Sequence, residues 1–150
     1  MIMAKRKKET FVAITKKEIE ERFDRYNDLY FGGKVTKPKK FEVSTPIRNI
    51  LGLTRPMYNK NTGQYSAALH ISRLYNWTDE NLRDVIVHEM IHLFIGDYLQ
   101  PLRWWERIFP CLVKQHDGEF KDIMKQLNEN FGLHVQLRFP EMKAYIKNNK

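Results

Sequence analysis

The amino-acid sequence predicts a single α+β domain, and three of its features lead to this prediction. Apolar residues recur at helical spacing in three separate segments. Short segments of alternating polarity, separated by turn-forming residues, lie between the first and second of these. The chain of 150 residues is long enough to bury one core without disulfides. We therefore expect a short, mainly antiparallel sheet packed on helices, in one domain over residues 15–150 that follows a basic arm at residues 1–14.

The first predicted helix covers residues 15–31. Thr15 is the expected N-cap, with Glu18 at the capping-box position, and Gly32 and Gly33 are expected to end the helix. Its apolar stripe consists of Ile19, Phe23, Tyr26 and Tyr30. This pattern is typical of a helix that covers one face of a core.

The predicted strands follow this helix. Residues 41–44 alternate in polarity and form the first strand. A hairpin is expected from residues 50–57 to residues 64–71, because the residues between them, 58–63, are rich in turn formers.

The second predicted helix runs from residue 79 to about Gly96. Thr78 is its expected N-cap, and two acidic residues in the first turn suit the helix dipole. Its apolar residues at helical spacing are Leu82, Val85, Ile86, Met90 and Leu93. Beyond it we expect a helix at 119–130 that stops near Gly132, extended chain at 133–138 and a short helix at 141–148.

The sequence His88-Glu89-Met90-Ile91-His92 lies within the second predicted helix. Two histidines four positions apart share one face of a helix, where their imidazoles can bind one zinc ion. Glu89 is placed to take the proton of an activated water. The alternative is a buried structural helix whose histidines bond to neighbouring groups. That alternative leaves Glu89 beside an apolar face without a partner, so the pattern favours a metallopeptidase site.

A catalytic zinc site needs a third protein ligand. The adamalysin-type pattern is excluded, since position 98 is tyrosine rather than histidine and position 95 is isoleucine rather than glycine. A glutamate on a later helix is a second solution, and Glu106 or Glu119 fits it. His116, just before the third helical segment, is a third solution.

A resemblance to a known family rests on two segments. His88-Glu89-x-x-His92 followed about two dozen residues later by His116-Asp117-Gly118-Glu119-Phe120 resembles the SprT-like (Spartan-type) metallopeptidase family. The helix end from Tyr26 to Val35 is similar to the lead-in helix and Phe-x-Gly-x-Leu/Val turn of that family. The likeness covers roughly residues 16–132, although Asp117 stands where the family usually has glycine.

The resemblance implies a specific site and reaction. His88, His92 and His116 would be the ligands of one catalytic Zn²⁺, and Glu89 the general base of an endopeptidase. Characterised members of the family cleave proteins crosslinked to DNA. The order of helix, strands, active-site helix and later ligand also fits a small zincin-like α+β domain. In such a site we expect the strand before the active-site helix to bind extended substrate by backbone pairing, here at Ala68, Leu69 and His70.

The charge of the chain predicts a polyanionic partner. The formal net charge is +8, which favours sequence-independent contact with phosphates. The expected contacts are the basic arm Lys5, Arg6, Lys7 and Lys8, together with Trp104 and Trp105, whose rings can stack on unpaired bases. Further lysines cluster at Lys34, Lys37, Lys39 and Lys40 and at Lys143, Lys147 and Lys150.

Location and competing functions complete the predictions. Cys111 is the only cysteine and no apolar run has the length of a membrane span, so we expect a monomeric cytoplasmic, nucleoid-associated or nuclear protein. The predicted function is zinc-dependent cleavage of DNA-associated or DNA-crosslinked proteins. The alternative is a nucleic-acid-binding protein whose zinc site is structural, and a general peptidase without a nucleic-acid partner also stays open.

Overall fold

The fold is known from a computed structural model that describes residues 10–44, 51–73, 75–96 and 118–137. In these ranges it has three helices and three strands, which confirms the predicted α+β class. The elements are α1 (Lys16–Phe31), β1 (Lys40–Ser44), β2 (Gly52–Asn59), β3 (Gln64–Ser72), α2 (Asp79–Ile95) and α3 (Gly118–Phe131). Each lies where the sequence predicts it, while the helix expected at residues 141–148 lies outside the described residues.

Helix α1 begins and ends as predicted. The hydroxyl of Thr15 accepts a hydrogen bond from the backbone N–H of Glu18 at 3.1 Å. Gly32 ends the helix in the left-handed conformation at φ 60°, which glycine adopts without a steric penalty.

The residues before this helix also belong to the folded domain. The backbone N–H of Val12 donates to the carbonyl of Trp77, and Val12 and Ile14 pack against the core, although the sequence assigned both to the arm.

The sheet is mixed rather than mainly antiparallel. Its strand order is β1-β3-β2, with β2 antiparallel to β3 as the predicted hairpin requires. Strand β1 pairs in parallel with β3, which is the second strand of the hairpin and not its neighbour in sequence. The prediction failed here because alternating polarity identifies strands but does not say which of two hairpin strands will lie beside a third.

Helix α2 lies at the centre of the domain. Every residue from Asp84 to Leu93 is buried, so the helix has no solvent face over these ten positions. Its first turn is tied to α1 by the buried Arg22, whose guanidinium binds Asp79 at 2.7 Å and Glu18 at 2.8 Å. Burial alone would lower the pKa of Arg22, but the hydrogen bonds to Asp79 and Glu18 outweigh it and raise that pKa.

Helix α3 packs on α2 and is followed by a short irregular segment. Phe120 and Leu127 are its buried residues, and Gly132 ends it at φ 66°. The next residues continue without regular secondary structure, yet Leu133 and Val135 are buried. Of the described helices, none combines the length and the apolar character needed to cross a bilayer.

Candidate metal centre

Three potential ligands meet on the buried half of α2. One ligand atom from each of His88, Glu89 and His92 lies within 4.8 Å of the others. The three residues are only 8%, 6% and 9% exposed. One turn of helix brings the histidines together, since residues four apart stack on one face. This cluster could hold a metal ion, and its chemistry of two imidazoles and a carboxylate is typical of zinc sites.

Phe120 fixes both histidine rings from the α3 side. Its fully buried ring lies 4.9 Å from the imidazole of His88 and 4.7 Å from that of His92, measured between ring centroids. The two imidazoles are 5.1 Å apart. Phe120, the aromatic residue that ends the predicted His116-to-Phe120 motif, lies in the first turn of α3 and contacts both histidines on α2.

A backbone carbonyl sets the protonation of the first histidine. His88 Nδ1 lies 2.8 Å from the carbonyl oxygen of Gln136. Because a carbonyl can only accept, Nδ1 carries the proton in this contact and Nε2 is the nitrogen with a lone pair for a metal. This hydrogen bond also fixes the ring's orientation, as is common for histidines that bind metals.

Strand β2 contacts the carboxylate of Glu89. The hydroxyl of Thr54 lies 3.3 Å from Glu89 Oε1 and 3.5 Å from the backbone carbonyl of the same residue. Gly52 makes the approach possible: a Cβ there would lie 3.1 Å from Val85 Cγ1 and 3.4 Å from Glu89 Cγ. Thr54 thus gives Glu89 a polar partner. The sequence argument that a purely structural helix would leave this carboxylate without one is wrong, and the case for a metal rests on the cluster itself.

The third ligand is not decided by the described residues. His116, which the resemblance implies, and the alternative Glu106 both lie outside the described ranges. Glu119 is exposed in the first turn of α3 and is not part of the three-residue cluster around His88. Within the described part of the chain, no other group of three such ligands comes together.

The predicted substrate strand is not available for backbone pairing. Ala68, Leu69 and His70 lie in β3, the central strand, where β1 pairs with one side and β2 with the other. The expectation that extended substrate adds to this strand is therefore wrong, because both of its hydrogen-bonding edges are occupied. Across the described sheet, β1 and β2 form the edges, and β2 is the one whose Thr54 touches Glu89.

His70 has a structural environment. It pairs with Glu42 of β1. On β2, Thr54 lies opposite the neighbouring residue Leu69 and contacts α2, so the side chain of His70 lies on the other face of the sheet. Burial lowers the pKa of His70, although the Glu42 carboxylate acts in the opposite direction. The hydrogen bond from Lys40 lowers the pKa of Glu42. The contact between the His70 ring and the Glu42 carboxylate links β3 to β1.

The predicted nucleic-acid contacts lie mostly beyond the described ranges. Lys5, Arg6, Lys7, Lys8, Trp104 and Trp105 are all outside them, as is Cys111. In the lysine cluster after α1, Lys37 binds Glu20 at 2.9 Å and Asp24 at 3.1 Å, and Lys40 binds Glu42 at 2.9 Å. Two of its four charges are therefore balanced by neighbouring carboxylates.

Sequence reasoning missed the residues that support the cluster from other elements. Thr54, Gly52, Asn128 and Gln136 carry no recognisable motif, and they act through distant contacts. One signal was present: Asn128, Gly132 and Val135 repeat, at nearly the same spacing, the Asn27, Gly32 and Val35 of the first helix end.

Comparison with known protein families places residues 19–139, most of the chain, in the SprT-like family. The matched range contains His88, Glu89, His92, His116 and Phe120. No curated protein sequence matches the chain closely.

Proposed function

We propose that this chain, which belongs to the SprT-like family, is a zinc-dependent endopeptidase that acts on DNA-associated or DNA-crosslinked proteins. Membership of that family supports a metallopeptidase-like domain. The choice of zinc, the catalytic step and the class of substrate are the proposed parts.

One observation carries the proposal: the clustering of His88, Glu89 and His92, all buried, where α2 contacts Thr54 of β2 and Phe120 of α3. Two imidazoles and a carboxylate on one turn of a helix are a ligand set typical of zinc. A divalent cation held by the two histidines would also stabilise the charge of the buried Glu89 carboxylate, beside its contact with the Thr54 hydroxyl at 3.3 Å.

The residues present fit zinc. The Nδ1 of His88 is engaged by the Gln136 carbonyl, which leaves Nε2 as the ligand atom. His92 lies one turn further along the same face, and Phe120 restricts the motion of both rings. When bound, zinc supplies Lewis-acid activation of a water and of the scissile carbonyl. His116 is the proposed third ligand.

Glu89 is the proposed general base and then general acid. Its carboxylate accepts the proton of the attacking water as the new C–O bond forms at the peptide carbonyl. The same proton is then delivered to the amine nitrogen as the C–N bond breaks, so the carboxylate is regenerated. Thr54 contacts Oε1 and orients the group, and the burial of Glu89 limits competing water.

The net charge of +8 supports a DNA-linked substrate. A basic chain is concentrated on DNA by counterion release, which brings the active site to proteins bound there without a need for base recognition. The basic arm and the tryptophan pair named from the sequence are the proposed contacts. The ion pairs of Lys37 and Lys40 make the lysine cluster after α1 a weaker candidate.

The test is cleavage of histone and of casein by the full chain, with and without single-stranded DNA, before and after zinc loading. The wild type should cleave both proteins, and DNA should accelerate histone cleavage at low salt and lose this effect at high salt. Glu89→Gln should still bind zinc but cleave slower by about 10²–10⁴-fold.

The matched control is Glu80→Gln, which removes an exposed carboxylate from the first turn of the same helix and should leave cleavage unchanged. Retained cleavage in Glu89→Gln would overturn the catalytic assignment. A wild type that binds zinc and DNA but cleaves neither protein would favour the structural-zinc alternative. Cleavage that DNA does not affect would leave a general peptidase.

A further inference from the structure

We infer that Asn128 is a positioning residue for the metal ligand His88, acting through residues 133–137, which have no regular secondary structure and are called here the supporting segment. The inference rests on the proposed zinc site and extends it to a residue that contacts no ligand directly.

The supporting segment holds His88 through its backbone. The carbonyl of Gln136 accepts the hydrogen bond of His88 Nδ1 at 2.8 Å. A side chain of residue 136 is not needed for this contact, so the position of the carbonyl depends on what fixes the main chain at this point. The segment is not part of the described sheet, and the hydrogen bonds that the described residues make to its backbone come from side chains.

Asn128 supplies two of those hydrogen bonds. Its Nδ2 donates to the carbonyl of Val135 at 2.9 Å, and its Oδ1 accepts from the N–H of Val135 at 2.9 Å. One side-chain amide thus satisfies both backbone groups of the residue directly before Gln136, as a neighbouring strand would. Val135 is buried and Asn128 is partly buried, so both hydrogen bonds are partly shielded from water.

A third contact fixes the same segment from α2. The backbone N–H of His134 donates to Asp84 Oδ1 at 3.4 Å, and Asp84 lies one helical turn before His88. The supporting segment is therefore held by α3 at Val135 and by α2 at His134, one and two residues before the carbonyl that binds the ligand. Loss of the Asn128 bonds leaves the weaker and longer of these contacts.

The first helix end provides an internal control. Asn27 binds both backbone groups of Val35 with the same geometry, at 2.9 Å and 3.0 Å. That clamp closes the turn after α1 and touches none of the three cluster residues. Removing either asparagine costs the same two hydrogen bonds, so an effect on metal binding that appears at only one of them is an effect of position.

The experiment measures the zinc dissociation constant of the full chain by competition with a chelator, for wild type, Asn128→Ala and Asn27→Ala. Thermal unfolding in EDTA monitors the metal-free fold. Both variants should lower the unfolding temperature similarly. Asn128→Ala should weaken zinc binding by about 10–100-fold, as expected when the outer partner of a ligand histidine is disturbed. Asn27→Ala should bind zinc as the wild type does.

A second pair of variants protects the test against misfolding. Asn128→Asp keeps the acceptor for the Val135 N–H but loses the donor, so its zinc affinity should lie between the wild type and the alanine variant. Asn27→Asp is its control. Equal zinc affinities for the Asn128 and Asn27 variants, whether both reduced or both unchanged, would overturn the inference.

His88→Ala separates failure of the inference from failure of the proposed function. Zinc binding that His88→Ala removes but Asn128→Ala leaves intact contradicts the positioning role alone. A wild type whose zinc binding does not depend on His88 contradicts the zinc site and the positioning role together.

Discussion

The ends of α1 and α3 use the same local structure for different purposes. In each, an asparagine in the last helical turns accepts a glycine N–H on its carbonyl and clamps a valine that follows the helix. The two ends also touch, because the rings of Tyr30 and Phe131 lie 5.0 Å apart. After α1 the clamped chain leads on to β1. After α3 the residue that follows the clamped valine binds His88, a histidine of the candidate metal cluster.

Helix termination by glycine and an asparagine clamp is a local solution to unsatisfied carbonyls at a helix end. Of these two ends, only that of α3 leads to a contact with His88 of the candidate metal cluster. The comparison teaches that the same local structure can have different consequences, depending on what lies beside it. The following predictions use the two ends as matched partners, one expected to affect stability alone and the other to affect metal binding too.

The largest effect is expected from the buried phenylalanines. Phe23 of α1 and Phe120 of α3 are both fully buried, so Phe23→Ala and Phe120→Ala should each lower the free energy of unfolding by about 3–5 kcal/mol in EDTA. Only Phe120 packs on both imidazoles. Urea unfolding with added zinc should therefore show a smaller zinc-dependent gain for Phe120→Ala than for Phe23→Ala. The same gain in both would break the comparison.

A smaller and equal effect is expected at the two terminating glycines. Gly32 and Gly132 have φ values of 60° and 66°, and an added Cβ at either would meet no atom within 4 Å. Gly32→Ala and Gly132→Ala should each cost about 1–2 kcal/mol from left-handed strain alone. Urea unfolding in EDTA measures both. A much larger loss at one of them would show that the two ends are not equivalent in local structure.

The next effect is the coupling free energy between each asparagine clamp and His88. It should be smaller than the stability lost when either asparagine is removed. In double-mutant cycles on zinc binding free energy, Asn128→Ala and His88→Gln should couple by at least about 0.5 kcal/mol. Asn27→Ala and His88→Gln should be additive within about 0.3–0.5 kcal/mol. Coupling of the same size in both cycles would mean that the site responds to global stability and not to the supporting segment.

The smallest effect is a pH dependence of stability that comes from Asp84, whose carboxylate contacts the segment after α3 and not the segment after α1. Burial raises the pKa of Asp84 above its ordinary value of 3.8, against the opposing effect of Arg83. An acid whose pKa is raised on folding stabilises the fold most below its unfolded pKa and loses that contribution as pH rises through the folded pKa. The stability of Asp84→Asn relative to the wild type should therefore increase as the pH rises from about 4 to about 7. Urea unfolding in EDTA across this range measures it, and a constant difference contradicts it.

The sequence predicts the local elements well because their causes are local. Thr15, Thr78 and the glycines at 32, 96 and 132 cap or end helices in both prediction and structure. The pairing of β1 with β3 could not be predicted, since strand alternation carries no information on which neighbour is chosen. The prediction of substrate pairing at Ala68, Leu69 and His70 failed for that same reason.

The cluster itself was predictable, and its supports were not. His88, Glu89 and His92 act together through one turn of one helix, so spacing alone brings them close. Thr54 reaches Glu89 across 35 positions and Gln136 reaches His88 across 48, and such contacts depend on packing that periodicity does not reveal. His116 stays a prediction from resemblance.

The most direct measurement of the central claim is zinc K-edge X-ray absorption on the zinc-loaded chain and its Glu89→Gln variant. If Glu89 is the base of a catalytic site, the zinc of the wild type should be bound by histidine nitrogens and by the oxygen of a water molecule. The spectrum of Glu89→Gln should keep the same histidine shell, at unchanged zinc stoichiometry. A changed ligand shell or lost zinc in Glu89→Gln would make Glu89 a ligand instead, and would contradict the proposed catalytic role.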